Sequence, residues 1–177
     1  VWNGNCFTVC GVVHAGNYRL QLRQMNDAGQ VQGAGPLTVL EQAAELREPC
    51  LLWDPRGARH VLVWCDARTI AGGEIWLQFL DRNAAASGAP RLVVSLAAGQ
   101  HLRRPRIINH PDGGYALFWE DDTQDGHYDL YLAFLDANGA PDSRLPIAAD
   151  DALGRRLRRL SDTPGDTAGF ASFADSE

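Results

Sequence analysis

The sequence predicts an all-β protein made of consecutive four-stranded sheets. Three observations lead to this fold class: strand-like segments recur at a fixed spacing, the segments are apolar on both faces, and helical periodicity is weak throughout. The 177 residues, 45% of them hydrophobic, are enough for a folded domain with a sizeable core. The 18 Gly and 9 Pro indicate many turns.

The repeat is clearest in one short segment. His60–Asp66 returns as Tyr115–Asp121, so that the Trp-x-Asp motif at Trp64 recurs at Trp119. A second apolar segment follows each copy at the same spacing, first Glu74–Asp81 and then Asp129–Asp136. Earlier and later copies begin in the same register at Asn5–Gly11 and Phe170–Asp175. A fixed period of this length is the mark of a repeat architecture.

Each copy contains four predicted strands, separated by turn residues. In the second copy these strands are Cys50–Trp53, His60–Cys65, Glu74–Leu80 and Arg91–Ser95. The best helical candidate, Leu40–Glu48, is short and is interpreted as a connection. The copies span residues 1–48, 49–104 and 105–159, and a partial fourth spans 160–177.

The apolar character of the strands favours a β-propeller. Val61–Trp64 and Leu130–Leu135 are apolar on both faces, so both faces of each sheet need a cover, and the sequence offers no helices to provide it. Stacking each sheet on the next copy around an axis solves this problem. We therefore expect about three four-stranded blades plus a partial fourth, with the ring incomplete in this chain. A β-sandwich built from duplicated hairpins is the alternative.

The repeat motifs are similar to those of a known class. Trp-x-Asp, Glu/Asp-Ile/Leu-Trp/Tyr-Leu and Asp-x-Asn-Gly resemble the repeats of secreted bacterial β-propeller proteins, and Val1–Gly4 resembles the first hairpin of such a blade. The resemblance covers essentially the whole chain. It implies an architecture rather than a ligand, and the sialidase-type Asp box is absent.

An incomplete ring requires partners. Sheets with two apolar faces would otherwise expose large sticky patches. The remaining blades are expected from the same polypeptide, from another chain or from further copies in a homo-oligomer. A formal net charge of −6 argues against a nucleic-acid partner. No apolar run is long enough to form a transmembrane segment.

Charged residues recur at one predicted end of the blades. In an up-and-down blade, the entry to the first strand and the loop after the second strand emerge at the same end. The sequence thus predicts a polar rim for ligand binding. Its members are Arg47, Asp66, Arg68, Arg103, Asp121, Arg158 and Asp175. The alternative is a set of structural inter-strand Arg–carboxylate pairs that lock each blade, since the residue types repeat.

One acidic loop is a candidate calcium site. Asp121, Asp125 and Asp129 are spaced four residues apart around a glycine, and calcium prefers such oxygen ligands. A solvated acidic hairpin is the default interpretation. No other cofactor is predicted.

The cysteines suggest one disulfide. If the hairpin turns near residues 56–58, Cys50 lies opposite Cys65, within reach of a cross-strand bond. Such a bond would indicate an oxidising compartment, the periplasm or the cell exterior.

The sequence contains no catalytic motif. It has no phosphate loop, no Gly-x-Ser-x-Gly and no HxxxH spacing. We therefore expect a non-enzymatic, secreted binding or scaffold module that engages a protein or a glycan. The alternative is the non-catalytic portion of a propeller-fold glycosidase or lyase.

Overall fold

A computed structural model describes residues 1–66, 73–95, 102–122, 128–142, 149–150 and 156–159. These residues form twelve β-strands. The strands are β1 (Phe7–Ala15), β2 (Asn17–Met25), β3 (Val31–Gln42), β4 (Leu46–Asp54), β5 (Arg59–Asp66), β6 (Glu74–Leu80), β7 (Arg91–Ser95), β8 (Leu102–Asn109), β9 (Tyr115–Asp122), β10 (Tyr128–Leu135), β11 (Ala149–Asp150) and β12 (Arg156–Arg159).

The strands form three antiparallel sheets. Sheet I has the order β1-β2-β3, sheet II has β4-β5-β6-β7, and sheet III has β11-β12-β10-β9-β8. The described residues include no helix, which confirms the all-β prediction. The sheets have three, four and five strands rather than four each, and none of them closes on itself.

The strands predicted for the second copy correspond to sheet II. β6 and β7 agree with the prediction residue for residue, whereas β4 and β5 begin earlier than predicted. The segment Leu40–Glu48 is not helical. It contains the end of β3, a short bend near residues 43–44 where the chain reverses direction, and the start of β4.

The strands β4 and β8 share an irregularity that the sequence repeats. Both contain a Leu-Arg-x-Pro motif, and the pairing register of each strand shifts within it. Glu48 and Arg104, the residues before the prolines, have φ values of 49° and 51°. A β-bulge accommodates proline because proline has no N–H to donate to the ladder.

Sheet II is covered on both faces. Leu62 and Trp64 of β5 join the core with Leu20 and Leu22 of sheet I. The alternate β5 residues, represented by Val63, join the core with sheet III. This arrangement explains why β5 is apolar at every position from Val61 to Trp64, since each of these side chains is fully buried.

The predicted disulfide is wrong. The turn after β4 closes between Asp54 and Arg59, and the bulge shifts the register further along the strand. As a result Cys50 pairs with Val63, and Cys65 pairs with Arg47. All four cysteines are free thiols. The turn is centred one residue earlier than the predicted spacing assumed, so Cys65 lies two residues beyond the position opposite Cys50, too far for the expected cross-strand bond.

The described part of the chain also holds no helix with the length and apolar character needed to cross a bilayer.

Candidate functional site

The predicted rim lies where β4 and β8 begin and β5 and β9 end. The register places Leu46 opposite Asp66 and Leu102 opposite Asp121. The arginines of the motif come one position later, so Arg103 faces Glu120 rather than Asp121.

Arg103 and Glu120 form the most developed ion pair at this end. Arg103 Nε donates to Glu120 Oε2 at 2.6 Å, and Arg104 Nη1 donates to Glu120 Oε1 at 3.2 Å. The backbone N–H of Arg104 donates to the carboxylate of Glu48 in β4, which ties sheet III to sheet II. These partly exposed groups therefore hold adjacent strands and sheets together.

The other predicted rim residues have similar structural contacts. Arg47 pairs with Glu45, two residues before it. Asp66 is buried and accepts a hydrogen bond from Gln42 Nε2 at 3.0 Å, which joins sheet II to the end of β3. Asp121 is also buried, with 2% of its surface exposed, so neither aspartate presents an open carboxylate to solvent.

Several predicted site residues fall outside the described residues. Arg68, Asp125 and Asp175 do so entirely. For Asp129 and Arg158 only the backbone is described: Asp129 pairs with Asp121, and Arg158 pairs with Leu132 of β10. Within the described ranges, no group of three or more His, Cys, Asp or Glu side chains could hold a metal ion.

A buried polar junction between sheets II and III escaped the sequence analysis. The hydroxyl of Tyr115, at the start of β9, donates to Asp54 Oδ2 at 2.7 Å. Arg59 Nη2 donates to the same hydroxyl at 2.9 Å, and Arg59 Nε lies 3.3 Å from Asp54 Oδ2. The guanidinium of Arg59 also covers the ring of Phe79 at 3.9 Å, a cation–π contact.

The electrostatics of this junction follow from burial and hydrogen bonding. Burial alone would oppose ionisation of Asp54, but hydrogen bonds from Tyr115, the backbone N–H of Gly57 and Arg59 outweigh it and lower the pKa of Asp54. Burial raises the pKa of Tyr115, and the bond to the Asp54 carboxylate raises it further. The pair is thus a neutral phenol donating to a carboxylate, and not a site for proton exchange near neutral pH.

A second junction joins sheets I and II. His60 Nε2 lies 3.0 Å from Thr8 Oγ1, and His60 Nδ1 lies 3.0 Å from the carbonyl oxygen of Asp81. Thr8 and His60 are completely buried. Gln24 Nε2 donates to the Thr8 hydroxyl at 3.3 Å. Burial lowers the pKa of His60, so the imidazole is neutral in the folded protein at physiological pH.

The two junctions occupy equivalent positions in the repeat. Tyr115 stands in the third copy where His60 stands in the second, and each lies at the start of the second strand of its copy and bonds back to the preceding sheet. The signal that could have found them was a polar aromatic residue at the start of an otherwise apolar repeated segment. Because the sequence has no metal-ligand spacing such as HxxxH, it gave no reason to single out His60.

Besides a cavity of about 290 Å³ beside Val9 and Arg23 of sheet I, two cavities adjoin the described sheets. One of about 200 Å³ lies at the Asp54–Tyr115 junction, lined by Asp54, Arg56 and Arg59 among others, and is smaller than the sites that hold drug-sized ligands. The other, about 480 Å³, lies on sheet I along β2 and β3, and its lining from Leu22 to Leu37 includes no ionisable side chain. Acid–base chemistry has no group to use there.

Comparison of the chain with protein-family models gave no match, and neither the curated proteins nor the solved structures yielded one.

Proposed function

We propose that the chain is a non-enzymatic β-propeller binding or scaffold module, secreted to the periplasm or the cell exterior, that engages a protein or a glycan. The observation that carries the proposal is the repeated use of buried polar side chains, His60 and Tyr115, to join one sheet to the next. Groups that hold an architecture recur with the repeat, whereas a reaction site breaks the symmetry of its scaffold.

The propeller architecture is supported by the way the sheets meet. Sheet II packs one face on sheet I and the other on sheet III. Strands β4 and β8, the first of their copies, contact each other, and β4 contacts β1 as β8 contacts β5. A radial stack brings the first strands of neighbouring blades together in this way.

The carboxylates favour scaffolding over glycoside cleavage. Cleavage requires two carboxyl groups on opposite sides of the scissile bond, open to the substrate. Asp54 and Glu120 instead bind arginines, and Asp81 and Asp136 accept backbone N–H bonds that hold turns. Glu120 is more exposed than Asp54, and it is therefore the residue to vary.

The test compares binding with turnover on the same glycans. The chain is electrophoresed through gels that contain neutral or acidic polysaccharides, and parallel reactions are assayed for new reducing ends and unsaturated sugars. We expect retardation by at least one polysaccharide without product, or no retardation if the partner is a protein. Product formation that Glu120→Gln abolishes and the matched Glu41→Gln leaves intact would establish the enzyme alternative instead.

The calcium hypothesis is tested on the same preparation. Elemental analysis of protein purified without chelator should find calcium if Asp121 and its loop bind it. The expected disulfide would have indicated an oxidising compartment, but the cysteines are free thiols. The proposed secretion is therefore supported by the resemblance of the repeats.

A further inference from the structure

The cavity of about 200 Å³ between sheets II and III has the features of a site for a small ligand. It lies between the hairpin that joins β4 to β5 and the hairpin that joins β8 to β9. Half of its lining residues are glycine or alanine, and the others are polar or charged. The space equals the volume of about six water molecules in the liquid, which suits a ligand group of a few non-hydrogen atoms.

The charges at this cavity do not follow the repeat. At the period of the repeat, the positions of Asp54 and Arg59 in the second copy are occupied in the third copy by Asn109 and Gly114. All four residues line the cavity, so the charged pair meets its uncharged counterpart there. Groups that hold every blade together recur with the repeat, whereas a charged pair that occurs once is typical of ligand recognition.

The Asp54 carboxylate has no free acceptor site for a ligand. Its Oδ1 accepts the backbone N–H of Arg56 at 3.0 Å, and its Oδ2 accepts the Tyr115 hydroxyl and Arg59 Nε. The backbone N–H of Gly57 also donates to this carboxylate. A carboxylate offers about four lone-pair sites, and these four donors fill them. Asp54 is therefore not available to a cation or to a ligand hydroxyl.

The two arginines, in contrast, have donors to spare. Arg59 forms its hydrogen bonds through Nε and Nη2, and Arg56 forms its own through Nη1 and Nη2 to backbone carbonyls. Among the described residues, Arg59 Nη1 and Arg56 Nε have no acceptor, although each guanidinium carries five N–H groups. A Cβ on Gly113 would lie 3.7 Å from Arg56 Nη1, so the glycine leaves space beside that guanidinium.

The charge balance of the cavity favours a single negative charge. Two guanidinium groups and one carboxylate leave a surplus of one positive charge, and the neighbouring Asp112 and Asp136 do not line the cavity. A dianion would be repelled more strongly by Asp54 than a monoanion. Among monoanions, the planar carboxylate matches the forked donors of arginine.

We propose that this cavity binds the carboxylate group of a small ligand through Arg56 and Arg59. The rest of the ligand lies towards the open side of the cavity, where Arg56 and Gly57 are exposed. The inference deepens the proposed binding role, on which it rests, by naming the chemical group that is recognised. Both an acidic sugar and a peptide can supply a carboxylate, and the test separates them.

The probes are sodium acetate, sodium glucuronate and N-acetylglycine, titrated at constant ionic strength and neutral pH into the whole isotope-labelled chain. We expect saturable shifts of the Gly113 and Gly114 amide resonances, with dissociation constants in the millimolar range. Glucose lacks the carboxylate and sulfate carries two charges, so both should bind about tenfold more weakly or worse. Tighter binding of glucuronate or of N-acetylglycine than of acetate supports the proposal and identifies the source as a sugar or a peptide.

The matched chain variants are Arg56→Gln and Arg91→Gln. Arg91 Nη1 also bonds a carbonyl of sheet III, that of Asn138 at 2.9 Å, but Arg91 does not line the cavity. We expect carboxylate binding to weaken about tenfold or more in Arg56→Gln and to change less than about twofold in Arg91→Gln.

Four results would overturn the proposal: no saturable shift with any carboxylate, equal affinity for glucose, shifts that leave Gly113 and Gly114 unmoved, or equal losses in the two arginine variants. If Arg56→Gln does not fold, the comparison of carboxylates with glucose and sulfate in the unaltered chain decides. The polysaccharide test above can fail separately. Retardation without carboxylate binding would support the proposed role and overturn this site, whereas carboxylate binding without retardation would support the site.

Discussion

Tyr115→Phe removes the hydroxyl at the centre of the junction between sheets II and III. The variant keeps the buried ring, which lies beside Phe79, and loses the hydrogen bond to Asp54 at 2.7 Å together with the one that Arg59 donates at 2.9 Å. A hydrogen bond to a charged group contributes about 1.5–3 kcal/mol, and Asp54, with 6% of its surface exposed, cannot replace it fully with water. We expect the free energy of unfolding to fall by that amount, which is a factor of about 10 to 150 in the unfolding equilibrium.

Urea denaturation followed by circular dichroism measures the effect. Tyr18→Phe is the matched control, because the Tyr18 hydroxyl makes no hydrogen bond to a described residue, and its change should stay within about 0.5 kcal/mol. In the Asp54→Asn background, Tyr115→Phe should cost less than in the wild type, by at least about 0.5 kcal/mol. Equal losses for Tyr115→Phe and Tyr18→Phe, or strict additivity with Asp54→Asn, would refute the reasoning.

Three further predictions concern pH, backbone strain and thiols. Because the pKa of His60 is lowered in the folded state, the unfolded chain binds more protons, and the free energy of unfolding should fall as the pH drops below about 6.5. His60→Gln should make this fall smaller in urea titrations at several pH values. An unchanged dependence of the unfolding free energy on pH would exclude His60 as its source. Gly114→Ala should lower the free energy of unfolding by more than about 3 kcal/mol, because a Cβ would lie 2.1 Å from the Leu135 carbonyl oxygen. Gly88 has the same left-handed backbone conformation but lies in open space, so Gly88→Ala should cost about 1 kcal/mol. Similar melting temperatures for the two variants would contradict this. Burial raises the pKa of Cys65 to about 12, so native Cys65 should be the slowest thiol to react with an aromatic disulfide, while all four cysteines should alkylate after denaturation without reductant.

The strand content could be predicted from the sequence because strands leave a local signal. The segments Glu74–Leu80 and Arg91–Ser95 are bounded by turn residues, and their limits were predicted correctly. The connection expected at Leu40–Glu48 is confined to residues 43–45, because the residues on either side extend β3 and β4 and pair with β2 and β5. Long-range pairing determined its structure.

The side-chain partners were less accessible to sequence reasoning. The repeat placed an arginine and a carboxylate at the same end of each copy, but a bulge of one residue decided that Arg103 meets Glu120. A turn centred one residue earlier than predicted likewise places Val63, and not Cys65, opposite Cys50. A shift of one residue changes which side chains are opposite, and the residues that cause it act through backbone geometry rather than through a recognisable motif.

By itself, the sequence determined that this protein is built from strands, that strand-like segments recur at a fixed period and that β5 is apolar on both faces, because spacing and apolar composition are properties of the chain alone. Only the tertiary structure decided that His60 bonds back to sheet I and that Tyr115 bonds back to sheet II. Both features depend on which sheet lies beside which, and that is set by contacts between residues far apart in the chain, such as Thr8 with His60 and Asp54 with Tyr115.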